Sequence, residues 1–281
     1  MTQKYWCLLL LGVSTLGVGC NAGEDIGPAA DEPLGTSTQA LVSDNGLAWN
    51  GLAYNGLAYN GLAFNGLAWN GLAYNGLAYN GLAFNGLAYN GLAFNGGLAN
   101  PTVHEFVSYL VGCALPEHDS VSYRIDGQNF TFAGDIGLAP EWKRNSCGQS
   151  CQRWISACML ARLNKRGDHI EISMRGESPA LKTERFETRD YTDREATYYG
   201  NLFESADHIY TCTSPGQSTI ERVCGDSLSG CPMHVVGSCD DACAGTGEHK
   251  SFRDCATATP FNKRHSDIYE EAITVFLASP K

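Results

Sequence analysis

The chain has 281 residues, a formal charge of −11 and twelve cysteines. That acidity excludes nucleic acid as a partner, because an acidic surface repels phosphate instead of releasing its counterions. It also disfavours electrostatic docking to anionic lipid, so a covalent lipid is the membrane contact the sequence offers.

Residues 1–19 are laid out as an export signal. Lys4 supplies the positive start, Tyr5 to Val18 an apolar core, and Gly19 a small residue before Cys20. The core is too short and too interrupted by glycine to span a bilayer. The stretch Leu16-Gly17-Val18-Gly19-Cys20 resembles the lipobox of bacterial lipoproteins, with its leucine one place early. The resemblance implies lipidation of Cys20, against ordinary cleavage after Ala22. Asn21 stands where many such lipoproteins carry the aspartate that retains them at the inner membrane, which implies the outer membrane or cell surface. Residues 20–44 are Gly, Pro, Ala and acid with few large apolar groups, the composition of a lipidated tether.

Residues 45–100 are an array of NGLA[WYF] units closed by the irregular Asn95-Gly96-Gly97-Leu98-Ala99. Its variable rings are Trp49, Tyr54, Tyr59, Phe64, Trp69, Tyr74, Tyr79, Phe84, Tyr89 and Phe94, so a twenty-residue WYYF order is nested in the five-residue one. Twenty residues is one coil of the β-helix of pentapeptide-repeat proteins, which the array resembles in period. Placing each Leu at the coil centre, however, puts Asn where that family has a small residue. Two and a half coils also leave little stacked core. A disordered, self-associating aromatic segment is the second reading. The third follows from layout: signal, repeated aromatic cores and a Cys/His-rich domain are similar to multi-core precursors of ribosomally made, modified peptides. In plant examples a copper domain crosslinks the aromatic cores. The resemblance implies copper and oxidation of repeat side chains, although the paired Cys-His signature of that domain is not in this chain.

The remainder, 101–281, is long enough for one domain with its own core. Ten cysteines outside the signal region, Cys113, Cys147, Cys151, Cys158, Cys212, Cys224, Cys231, Cys239, Cys243 and Cys255, predict up to five disulfides of unassigned pairing. Zinc is the weaker alternative, because no C-x2-C hook occurs.

Pro101 with Thr102 and Glu105 opens a helix whose core face carries Val103, Phe106, Val107, Leu110 and Val111. Val121, Tyr123 and Ile125, an Asp126-Gly127 turn, then Phe130 and Phe132 predict a hairpin. Residues 151–167 read as a second helix with Trp154, Ile155, Cys158, Met159 and Leu163 inward and Gly167 as its stop. Alternation at 169–174, 209–212 and 273–277 predicts strands. Residues 176–200 are polar and charged, and predict a surface excursion or lid. The sum is an α+β fold, a disulfide-rich C-terminal domain behind a low-complexity pentapeptide-repeat segment, disordered or a short β-solenoid.

Catalytic motifs are weak. Gly225-Asp226-Ser227-Leu228-Ser229 resembles the GDSL esterase motif, but only 54 residues follow Ser227 and no Asp precedes His234, His249 or His265 by three. Cys224 and Cys231 bracket it, as in a stapled loop. Asp168-His169 and Asp207-His208 are neighbours that a strand would turn to opposite faces, and His118, His234, His249 and His265 fall in loop-like stretches. No catalytic or metal set emerges. Around Tyr198, Tyr199 and Phe203 the choice is between a displayed binding surface and a covered core segment, with the core favoured. The sequence therefore points to a non-catalytic envelope lipoprotein that binds or assembles through its repeat, with no cofactor. The competing reading is a self-modifying precursor using copper.

Overall fold

A computed structural model describes residues 42–44, 47–48, 97–99, 101–125, 127–165, 170–204, 208–258 and 267–278. The export signal, the lipobox-like stretch, most of the tether and the array from 49 to 96 lie outside these residues. So do the solenoid and disorder readings of that array, and the Thr102 side chain of the expected capping box.

In chain order the first elements are β1 (Val42–Asp44), β2 (Leu47–Ala48), α1 (Pro101–Ala114), β3 (Ser120–Ile125), β4 (Gln128–Ala133), α2 (Gln149–Ala161), β5 (Leu163–Asn164) and β6 (Glu171–Arg175). There follow α3 (Arg185–Asp190), β7 (Tyr191–Gly200), β8 (Ile209–Thr213), α4 (Glu221–Cys224), β9 (His234–Ser238) and α5 (Cys239–Ala242). The last are β10 (Cys243–Thr246), β11 (Phe252–Ala256), β12 (Ile268–Tyr269) and β13 (Ala272–Ala278). The fold is α+β, with several sheets and five disulfides.

The main sheet runs β1-β6-β13-β7-β8-β9, antiparallel except between β8 and β9. Its centre is covered on both faces. Ala196, Tyr198, Ile273 and Val275 join the core beneath α1 and α2. Tyr199 and Ala272 instead meet Phe252 and Tyr269 of the small sheet β10-β11-β12. Alternate residues of β7 thus enter two different cores, which is why the strand is buried from Glu195 to Gly200 without alternation.

This corrects the expectation of a surface excursion across 176–200: its second half is a central strand. The charged letters that made it look exposed have specific places. Asp193 and Arg194 are half-buried, and Glu195 is neutralised internally by Arg222. Tyr198, Tyr199 and Phe203 are covered core.

Helix α1 buries Phe106, Val107, Leu110 and Val111, the face expected from the periodicity. The β3–β4 hairpin pairs Val121 with Phe132 and Tyr123 with Phe130, and all four rings or branches are buried. Gly127 takes φ +83 at the turn, the left-handed conformation that glycine allows.

The second helix stops at Ala161 and not at Gly167, which lies outside the described residues. Leu163 and Asn164 leave it as strand β5, because tertiary bonds claim their backbone: Lys165 N–H donates to Arg222 O at 2.8 Å, and the Arg222 guanidinium donates to the Leu163 carbonyl. Trp154, expected in the core, is half-buried and packs against it.

The cysteines pair as Cys113–Cys158, Cys147–Cys151, Cys212–Cys239, Cys224–Cys231 and Cys243–Cys255. The first joins α1 to α2, the third ties β8 of the main sheet to α5, and the fifth joins β10 to β11 within the small sheet. Such pairing fits an oxidising compartment. Among the described residues no helix is long and apolar enough to cross a membrane.

Candidate functional site

Two places carry features that packing alone does not require. The first is the edge where the domain meets its own repeat. β1 pairs antiparallel with β6, Val42 opposite Ser173 and Asp44 opposite Glu171. Three residues on, the Leu47–Ala48 backbone of the first NGLA unit pairs in parallel with Leu163–Asn164 of β5. At the other end of the array, Gly97–Ala99 forms a 3-10 turn against α1 and Leu98, only 1% exposed, enters the main core. The first and last Gly-Leu-Ala units are therefore both attached to the domain.

The β5 receptor is held in place by a buried ionic network. Arg222 Nη2 lies 2.6 Å from Glu195 Oε2, its Nε bonds both oxygens of that carboxylate, and Nη2 also donates to the Tyr198 hydroxyl at 3.1 Å. The remaining nitrogen, Nη1, donates to the carbonyls of Ala161, at 2.9 Å, and Leu163. Burial alone would lower the Arg222 pKa, but the Glu195 charge and the Tyr198 oxygen outweigh it and hold the guanidinium protonated. Tyr198 is pushed well above its ordinary value by burial and by the Glu195 charge, so it stays a neutral donor. A single cation thus fixes the end of α2, β5 and the central strand β7 together.

The second place is a cleft of about 410 Å³ beside β9, lined by Tyr210, His234, Val235, Val236, Thr257 and Ala258. The His234 and Tyr210 rings lie 5.6 Å apart, and Tyr210 stacks on Tyr199 at 5.9 Å with only 20° between planes. Tyr269 closes the group from 5.9 Å, with the Arg153 guanidinium 4.3 Å above it. Tyr269 is pushed up to about 12 by burial despite the nearby Arg153 charge, so its own ring is a neutral phenol at neutral pH. β9 is the last strand of its sheet, and its outer edge has no strand partner among the described residues.

The five described histidines occupy separate places. His104 packs on Phe132 at 4.8 Å, His118 and His249 are exposed, His208 Nδ1 sits 3.6 Å from Glu204, and His234 lines the cleft. His169 and His265 lie outside the described residues, as do Asp168 and Asp207. Among the described residues, one group of three potential metal ligands converges, Cys212, Cys239 and Cys243, and every sulfur in it is in a disulfide. The Cys147-x3-Cys151 and Cys239-x3-Cys243 spacings likewise end in disulfides, the first internal and the second with outside partners. Two sulfurs of different pairs, Cys212 and Cys243, are 3.8 Å apart.

The esterase-like stretch forms the stapled loop that its bracketing cysteines imply. Ser227 is exposed, its hydroxyl bonds the Ser229 hydroxyl at 2.8 Å and accepts from the Ser229 N–H, and Cys224 is joined to Cys231 around it.

Sequence reasoning had no access to the Arg222–Glu195 pair, whose members are 27 residues apart, or to Tyr210 with His234 as cleft neighbours. For Leu98 a signal was present: the array's regular unit breaks at that point.

No protein-family model, curated protein or solved structure matches this chain. Fold and site define a disulfide-stapled α+β domain carrying the two ends of a tandem aromatic array.

Proposed function

We propose that the protein is an exported cell-envelope lipoprotein, anchored through Cys20, that acts as a non-catalytic binding and assembly module. The observation that carries this reading is the attachment of both terminal Gly-Leu-Ala units to the domain, one by backbone pairing and one by a buried leucine. A domain that already takes up units of its own array treats the array as a ligand. The regular units keep Asn, Gly, Leu and Ala fixed and accept any aromatic ring, as expected when a flat apolar face matters more than a hydroxyl. The Tyr210–His234 cleft supplies a second aromatic surface on the same domain.

Intact mass and fragment spectra of the protein from its native cells test this, together with its assembly state in detergent. The reading requires a lipid on Cys20, hydrogen losses accounted for by the disulfides alone, uncleaved unmodified repeats, and concentration-dependent assembly. Further losses of two hydrogens per crosslink, or excised repeat fragments, would overturn it. They would favour the copper-dependent precursor, in which the domain of residues 101–281 oxidises its own repeat aromatics. Copper content of the same preparation provides the companion measurement.

A further inference from the structure

Four cysteines meet in the second core although they come from four different elements. Cys212 lies on β8, Cys239 opens α5, Cys243 begins β10, and Cys255 stands directly opposite Cys243 on β11. All four are at most 5% exposed and share that core with Tyr199, Phe252 and Tyr269. The Cys243–Cys255 bond spans two strands that already pair through their backbones, so it adds no connection that the ladder lacks.

What sets the group apart is the spacing between its two pairs. The Cys212 and Cys243 sulfurs belong to different disulfides and lie 3.8 Å apart. A zinc ion holding four sulfurs at about 2.3 Å keeps them about 3.8 Å from one another, the edge of a tetrahedron. Cys239 places its sulfur within 4.8 Å of both, and Cys255, bonded to Cys243, brings a fourth to the same place. With both bonds open, each former pair has to part by less than about 2 Å to reach the tetrahedral edge, a movement within the reach of side-chain rotation. Among the described residues no third ligand converges on Cys113–Cys158, Cys147–Cys151 or Cys224–Cys231.

We infer that Cys212, Cys239, Cys243 and Cys255 are a latent zinc site, which becomes a closed tetrathiolate when a dithiol reductant opens both disulfides. Each dithiol passes two electrons and two protons to one disulfide and is itself oxidised to a disulfide, so two dithiols yield four thiols. The zinc ion then bonds the four sulfurs and displaces their four protons, with no change in its own oxidation state. Thiolate donors select zinc over magnesium or calcium, and the apolar surroundings keep water from competing for the ion. Bound there, zinc ties β8, α5, β10 and β11 in place of two covalent bonds. The site is independent of the assembly reading, which rests on other residues, and it requires no oxidation of the array.

The test uses the full-length protein in detergent, reduced without denaturant by a phosphine, which supplies the same two electrons per bond. The reduced and oxidised forms are each dialysed against zinc chloride and then against metal-free buffer. One zinc ion per chain should remain on the reduced form and none on the oxidised one. Alkylation with iodoacetamide and peptide mass mapping locate the ion: zinc should spare Cys212, Cys239, Cys243 and Cys255 while the other six cysteines of residues 101–281 react as they do without it. The paired variant Cys243→Ser, Cys255→Ser should weaken zinc binding by more than the roughly 10–100-fold that loss of a supporting group costs. The paired variant Cys224→Ser, Cys231→Ser, which removes a disulfide outside the group, should bind as the parent does. Disulfides that stay closed under the phosphine, a reduced form without zinc, equal zinc on the oxidised form, or protection of other cysteines in place of these four, overturn the inference.

Discussion

Replacing Glu195 by Gln leaves the Arg222 guanidinium buried without its counter-charge. The carboxylate accepts from Nε and Nη2 of Arg222 and from the Tyr198 hydroxyl, and both members of the pair are almost fully out of solvent. Removing one partner of such a pair costs about 3–5 kcal/mol, because the remaining ion keeps its desolvation penalty. In urea, with a slope of about 2 kcal/mol/M, that is a midpoint lowered by roughly 1.5–2.5 M. Arg222→Met should be worse than Glu195→Gln, since it also strips the Ala161 and Leu163 carbonyls of their donor, at about 1–3 kcal/mol for each buried acceptor left unpaired. The double variant should fall short of the sum of the singles by about 1–3 kcal/mol, the coupling expected for residues in one network. Urea unfolding with disulfides intact, followed by tryptophan fluorescence, reads all three. Amide exchange should rise first at Leu163 to Lys165. A Glu195→Gln midpoint within about 0.5 M of the parent, near 1 kcal/mol, would refute the claim that this pair fixes β5.

Leu98→Ala removes the array's leucine from the core and should cost about 3 kcal/mol, lowering Tm by roughly 6–12 °C in calorimetry; a change under about 2 °C would mean Leu98 is not packed as described. Gly200→Ala meets a backbone with φ +144 and drives a methyl into the His208 carbonyl and to 2.8 Å from Ile209 Cα, so it should destabilise by about 1–3 kcal/mol. Gly127→Ala, with open space around it, should cost less by the same thermal measurement. Burial raises the Glu187 pKa, with the Glu184 backbone N–H, the Ser173 hydroxyl and the Arg175 charge opposing the rise only in part. The fold therefore prefers this carboxyl protonated: its contribution to stability is present below the unfolded value and is lost as pH rises through the folded one. Glu187→Gln should flatten that loss and be the more stable protein at pH 8. Urea midpoints that put the variant below the parent there would reverse the sign.

What could be read in advance followed local chemistry. The β3–β4 hairpin announces itself because its period of 2 survives where one face is buried and the other wet, and helix α1 because its apolar period of 3.6 persists although its second half is covered all round. β7 does not, because a strand covered on both faces loses alternation, and its charged residues resemble a loop until Arg222 is seen beside Glu195. The same guanidinium explains the early end of α2: local propensity through Arg162 to Lys165 is overridden by bonds to a residue almost sixty positions away. The existence of disulfides was legible from an even cysteine count, whereas their pairing depends on which elements meet. The site was harder still. The Asn-Gly-Leu-Ala repetition was plain, but its use as a strand and as a core leucine depends on the domain that receives it.

The proximity of Cys212 to Cys243 bears on how the domain meets reductant. Opening either the Cys212–Cys239 or the Cys243–Cys255 pair can free a thiol 3.8 Å from a sulfur of the other, within range to attack once it moves slightly. The two bonds would then not titrate independently. Attack would form a Cys212–Cys243 bond and leave Cys239 and Cys255 as thiols, so that a single reduction loosens α5 and β11 at once while β8 stays tied to β10, and Cys113–Cys158 between α1 and α2 stands apart.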